Sequence, residues 1–217
     1  MYQKYTGIIL KKHPFGEADE LLTIFTREAG KMRCKVVSVR KPTSRLAGHL
    51  QSLNEIEFEV ASSVTSRGGG SLPVLTSVRA LTINNYLRQN LRKFAFALVG
   101  IETLYRLTAD QQENAAAYDE LRHFLRTLGE SPDENLIVRK FQLNLLAASG
   151  YAFSFHNPLN PPYLKGEENL KASPPLKVRG GGEGLLLTPA LEREIDKHID
   201  YVLEREIKSA KILDSLI

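Results

Sequence analysis

The chain has 217 residues, 42% of them hydrophobic and 25% charged, which excludes general disorder and leaves room for one large or two small domains. No apolar run reaches the ~18–20 residues of a membrane span, and the single cysteine, Cys34, excludes an intrachain disulfide and any multi-cysteine zinc site. The formal net charge of +4 is unevenly placed: residues 1–80 hold twelve Lys/Arg against seven Asp/Glu, while the remainder hold seventeen against eighteen. A basic excess confined to the front bears on what that part binds and not on how it folds. The first residues contain no long apolar h-region or small-residue cleavage site, so a cytoplasmic location is expected.

Residues 2–80 read as short strands. Tyr5–Leu10 is apolar and β-branched and predicts a first strand, followed by a turn over Lys11–Gly16 marked by Pro14 and Gly16. Leu21–Thr26 predicts a second strand, and Arg27–Gly30 a tight hairpin with Gly30 at positive φ. The third strand alternates: Lys31, Arg33 and Lys35 on one face, Met32, Cys34 and Val36 on the other. It leads into Arg40-Lys41-Pro42-Thr43-Ser44-Arg45, a loop of three cations and two hydroxyls. From Lys31 to Arg45 there are six basic residues and no acidic one. Such a face attracts a chain of phosphates; the competing reading is the solvated outside of an ordinary strand. A single helical turn is expected over Leu46–Ser52. Glu55–Val60 alternates strictly and predicts a fourth strand, Ser66–Ser71 a flexible loop, and Leu72–Val78 a fifth strand whose early Pro73 suits an edge. Five short strands with Gly-rich turns fit a small closed barrel, either an OB-fold or, on periodicity alone, an SH3-like barrel.

After Ala80 the apolar period lengthens to that of helices. Residues 82–108 predict one or two buried helices, and 114–128 another, with Gly129 as its C-cap. Ser131-Pro132-Asp133-Glu134 predicts a capping box opening a further helix that stops at Ser149-Gly150. The segment 153–187 is rich in proline and glycine and is given no secondary structure. A last helix opens at Thr188-Pro189, with a stripe of Leu191, Ile195, Ile199, Val202, Leu203, Ile207 and Leu213. The expected organisation is an α+β chain: barrel over 1–80, helical domain over 81–152, irregular segment over 153–187 and a C-terminal helix over 188–217 packed on the helical domain.

Catalytic patterns are missing. The sequence holds no nucleophile elbow, phosphate-binding loop, dinucleotide fingerprint or zinc-protease helix, and its five histidines are scattered. Glu120 and His123 have the spacing of a metal-binding helix, but such sites use two of these motifs, and a solvated face is the simpler reading. Cys34 sits among cations, yet its phase assigns it to the apolar side of the strand. No enzyme and no cofactor is expected.

Several segments, in order, carry a family pattern: Gly7-Ile8-Ile9-Leu10, Phe15-Gly16-Glu17-Ala18-Asp19, Leu21–Thr26, Gly30-Lys31 and Arg40–Gln51. Together they closely resemble the bacterial DNA repair and recombination mediator family RecO. Two later pieces agree more loosely, Phe141–Tyr151 and Arg205–Ser209. The resemblance implies an N-terminal OB-fold followed by a helical domain. It implies binding of single- and double-stranded DNA, annealing of complementary strands, and loading of RecA with RecR on strands coated by single-strand-binding protein. Carried onto this chain, the DNA-contacting cations are Lys11, Lys31, Arg33, Lys35, Arg40, Lys41 and Arg45. For the acidic C-terminal tail of single-strand-binding protein, the nearest candidates are Arg122, Arg126, Arg139 and Lys140. The family is nucleoid-associated and needs no membrane. Many members hold zinc through four cysteines after the Gly-Tyr; here 152–187 contains none, so no metal is expected. The other readings are a protein-interaction adaptor and an RNA-binding OB-fold protein.

Overall fold

The computed structural model describes residues 2–61, 72–151 and 189–203. The predicted loop Ser66–Ser71, the Pro/Gly-rich segment 153–187, the Thr188 cap, Arg205–Ser209, Ile207 and Leu213 lie outside the described residues, as do the side chains of Leu191 and Leu203.

Five strands close into a barrel: β1 (Tyr2–Phe15), β2 (Asp19–Thr26), β3 (Gly30–Val36), β4 (Glu55–Ala61) and β5 (Val74–Thr82). The order around the barrel is β1-β2-β3-β5-β4, with β4 returning to β1. All pairings are antiparallel except a short parallel contact of β3 with β5 at Lys35 and Val74. That order is the OB-fold, and it decides between the two barrels that periodicity leaves open. The interior holds Ile9, Leu22, Ile24, Met32, Cys34, Val36, Ile56, Phe58, Val60 and Leu75. Alternate residues of each strand fill it, as the pleat requires.

β1 is longer than its sequence suggests. It runs past Leu10 to Phe15, and the turn falls at Gly16, whose φ is +71°. Two features permit the extension. A register shift between Ile9 and Lys11 absorbs an extra residue, and β4 pairs with β1 only as far as Ile8. Beyond that point β1 has one partner, so Pro14, which lacks an N–H, leaves no ladder bond unmade on its open side. Residues 46–52 make one turn, in which the His49 and Leu50 N–H groups both donate to Leu46 O.

The helices are α1 (Asn85–Gln89), α2 (Leu91–Leu107), α3 (Ala115–Glu130), α4 (Glu134–Ala148) and α5 (Pro189–Leu203). Asn90, Asn114 and Asp133 cap α2, α3 and α4, each accepting from the N–H three residues on. The predicted cap Ser131 sits two residues early; its Oγ accepts from Asp133 N instead. Gly129 is not a C-cap either. It lies inside α3, and the position is glycine because a Cβ there would stand 2.0 Å from the Tyr86 ring. The helix end is closed by a side chain, with Lys93 Nζ donating to Gly129 O at 2.6 Å and Ser131 O at 3.2 Å.

A second core joins the two modules. Ile8, Leu10, Phe25 and Leu53, on the outside of the barrel, pack with Phe96, Leu104, Leu121, Phe124 and Phe141 of the helices, and Ile195 and Ile199 of α5 complete it. The barrel therefore presents apolar side chains on both surfaces of β1 and β2, and the helical module covers the outer set. The seam is also bonded: buried Glu55 on β4 accepts from the Tyr118 hydroxyl of α3 at 2.9 Å. Burial, and then the neighbouring carboxylate, push the Tyr118 phenol well above its ordinary range. No described helix is long and apolar enough to cross a membrane.

Candidate nucleic-acid interface

Pairing sets the outer face of β1–β3 in rows. Lys11 pairs with Thr23 and Thr23 with Arg33; His13 pairs with Leu21 and Leu21 with Lys35; Phe15 pairs with Asp19. Each row is two residues from the next, about 7 Å along the strand. The face thus carries Lys11 and Arg33 in one row, His13 and Lys35 in the next, and exposed Phe15 at the β1–β2 tip. The loop after β3 folds back on that tip. Ser38 N donates to Asp19 Oδ1 and Arg40 N to Ala18 O, while the Arg40 guanidinium reaches Glu17 O at 3.2 Å. Loop, tip and strand face form one surface; its β2–β3 face and β1–β2 tip correspond to the parts of an OB-fold that contact oligonucleotides.

The predicted cations differ in how much charge they present. Arg33, Arg40, Lys41 and Arg45 are exposed. Lys35 is half-buried, 2.8 Å from Asp19 and 5.1 Å above the Phe15 ring. The hydrogen bond from Lys35, and next the Ser38 N–H, hold the Asp19 carboxyl below the usual carboxylate range. Lys11 is half-buried with its ammonium 3.9 Å from the centre of the Tyr105 ring.

Lys31 departs from the expectation. It does point away from the barrel interior, but that end of the face is covered by the helical module, and Lys31 is buried. Its Nζ donates to Tyr105 O at 2.7 Å and Thr108 O at 2.8 Å and lies 3.1 Å from Asp110 Oδ1. Those carbonyls end α2, so the ammonium caps the negative end of the helix. The backbone follows: Gln111 N donates to Lys31 O, and Lys31 bridges Asp110 in parallel. Residues 110–112 thereby extend the barrel beside the free part of β3. Alternation reads which face a side chain takes, not what covers that face.

The candidate partner-binding residues also separate. Arg139 ion-pairs with both carboxylate oxygens of Asp196 and so fastens α5 to α4. Lys140 is half-buried on the same helix. Arg122 and Arg126 are exposed, Arg122 with its Nε 3.4 Å from Glu55 Oε1, and with His123 they line a groove of about 370 Å³ between barrel and α3. Ile8, Leu125 and Tyr86 supply its apolar wall and Glu55 and Asp119 its acids. Sequence reasoning missed Tyr86 and Tyr105, whose spacing within helices looks like that of any core aromatic.

Among the described residues no three His, Cys, Asp or Glu side chains converge as a metal-ligand set. Glu120 accepts from Asn144, and His123 contacts Arg126 and Thr127. Cys34 is buried in the barrel, where desolvation pushes its thiol up to about 12. That is the reverse of an activated nucleophile.

Comparison with known proteins adds to this geometry. The model for the N-terminal part of recombination protein O matches residues 1–83, and the model for its C-terminal part matches residues 88–159. A DNA repair protein RecO from Dehalococcoides mccartyi is 31% identical over 148 residues, which cover 68% of this chain and 56% of the relative. One from Moorella thermoacetica is 35% identical over 146 residues, covering 67% and 52%. The chain spans about half the length of the curated relatives it matches.

Proposed function

The chain belongs to the recombination protein O family, and on that premise we propose that it is a non-enzymatic mediator of DNA repair and recombination. In this reading it binds single- and double-stranded DNA and anneals complementary strands. With RecR it assists RecA loading on strands coated by single-strand-binding protein. The observation that supports it is the single surface formed by the β1–β3 face and the 40–45 loop. Exposed Arg33, Arg40, Lys41 and Arg45 lie there with Phe15 at the tip.

The residue chemistry suits the task. Arg and Lys neutralise phosphates and release counterions, which gives affinity without sequence preference, as annealing of arbitrary complements requires. Arg40 is aimed by the tip carbonyls it bonds, and Lys35 by Asp19. Phe15 is 44% exposed, enough for a base to stack on its ring. The groove beneath Arg122 and Arg126 suits an acidic chain end with apolar side chains: guanidinium groups at the rim, Leu125 and Tyr86 inside.

An annealing assay tests both parts together, using complementary strands precoated with single-strand-binding protein carrying or lacking its acidic tail. The expected result is annealing that depends on the tail and is lost in Arg40→Gln/Lys41→Gln/Arg45→Gln. Binding of coated strands through the tail alone, with no affinity for bare DNA, would instead describe an adaptor. Preference for a matched RNA strand over DNA would describe an RNA-binding protein.

A further inference from the structure

Three cations gather on one ring that does not belong to the barrel. Tyr105 is on α2, and its ring centre is 3.9 Å from Lys11 Nζ and 4.1 Å from Lys31 Nζ. Its hydroxyl lies 3.4 Å from an Arg33 guanidinium nitrogen. Only one of the three is neutralised, Lys31 by Asp110. Among the described residues, Lys11 and Arg33 have no carboxylate within ion-pair distance, whereas Lys4, Lys12, Lys35 and Arg79 on the same barrel each have one. Two unneutralised cations in one row, beside a third that is buried and fixed, repel one another. An anion between them relieves that repulsion.

The arrangement suits one class of anion. The Arg33 guanidinium presents planar, paired N–H donors and Lys11 a compact charge, the combination that holds a tetrahedral phosphate oxygen set. Thr23, the residue between them, is buried under their stems, so the two heads stand on a packed floor. The same outer face continues through His13 and Lys35 to Phe15, which gives the anion a continuation in one direction.

We propose that Lys11, Arg33 and Tyr105 form a backbone-phosphate cradle astride the seam, so that a bound strand leaves the β1–β2 tip and crosses onto α2. This rests on the strand-binding reading above and extends it to the helical module. Lys11 and Arg33 contact the phosphate. Tyr105 is a positioning residue: ring and hydroxyl fix where the two cations stand. Lys31, paired with Asp110, holds the end of α2 and so the Tyr105 ring in place beneath them. Strand binding then requires both modules docked, not the barrel alone.

The test uses the full chain, a fluorescein-labelled thymidine oligonucleotide and anisotropy titrations over a series of KCl concentrations, with thermal midpoints as the folding control. Lys11→Gln/Arg33→Gln should lower the slope of log K against log salt by about 1.4, two contacts at ~0.7 each for a single strand. Tyr105→Phe keeps the ring and loses only the hydroxyl that Arg33 meets, so affinity should weaken about 2–10-fold at an unchanged thermal midpoint. A wild-type chain that binds no strand sinks the strand-binding reading itself. Strand binding with an unchanged slope in the double variant overturns the cradle alone. A parallel titration with inorganic phosphate at matched ionic strength separates the two sources of phosphate. Saturable phosphate binding that the double variant loses, with strand binding untouched, would make this a free-phosphate site and overturn the backbone assignment.

Discussion

Lys31 and Arg33 are two residues apart, carry the same charge and occupy the same face of β3, yet they do different things. Arg33 reaches solvent, while Lys31 ends in the last carbonyls of α2 and beside Asp110. Removing the charge from each should therefore separate stability from binding. Lys31→Met leaves two helix-end carbonyls without their cationic donor, and hydrogen bonds to a charged group contribute about 1.5–3 kcal/mol each at most. We expect a loss of about 2 kcal/mol in urea unfolding with the salt slope of strand binding unchanged. A reduced slope at unchanged stability would return Lys31 to the binding surface. Cys34, whose basic neighbours suggest reactivity, is settled by phase: alternation assigns it to the interior, and the structure agrees. That much was legible because both faces of one strand are written in consecutive residues. The fate of Lys31 was not, since its partners are more than seventy positions away.

At the scale of elements, the strands were legible by type and less so by extent. Glu55–Val60 alternates and is β4 almost to the residue. Pro14 and Gly16 together predict a turn that ends β1 at Leu10, whereas the strand runs on to Phe15 and of the two only Gly16 is in the turn. A proline can finish a strand once the neighbouring strand has ended, and pairing length is not visible in a single segment. The caps moved for a similar reason: Asp133 competes with Ser131 for the same N-terminus, and the helix begins after the residue whose side chain reaches Leu136 N. The tight hairpin predicts positive φ at Gly30, and the residue has it, but its tertiary role is not visible in the local sequence. Its φ is +64°, and a Cβ would stand 1.8 Å from Gln112 O, in the loop that runs beside β3. Gly30→Ala should thus cost about 2–4 kcal/mol, combining backbone strain with a backbone clash. Differential scanning calorimetry would show this as a much lowered midpoint; a midpoint near wild type would mean that the 110–112 segment does not pack there.

For the whole molecule, the charge split between front and back was the most telling global signal. It puts the cationic excess in the part of the chain that forms the barrel. What composition could not convey is that the barrel is not a free-standing unit. Its outer Ile8, Leu10 and Phe25 belong to the helical core, its free edge of β3 is extended by 110–112, and its Glu55 bonds Tyr118. The surface left open is the β1–β3 face, with loop 40–45 at one end and Tyr105 at the other. The most direct measurement of whether that surface binds nucleic acid is the salt dependence of oligonucleotide affinity in wild type and in Arg33→Gln/Arg40→Gln/Lys41→Gln/Arg45→Gln. Four phosphate contacts at ~0.7 each predict a slope smaller by about 2.8, with folding intact. An unchanged slope in a folded quadruple variant would contradict the account and place strand binding on another surface.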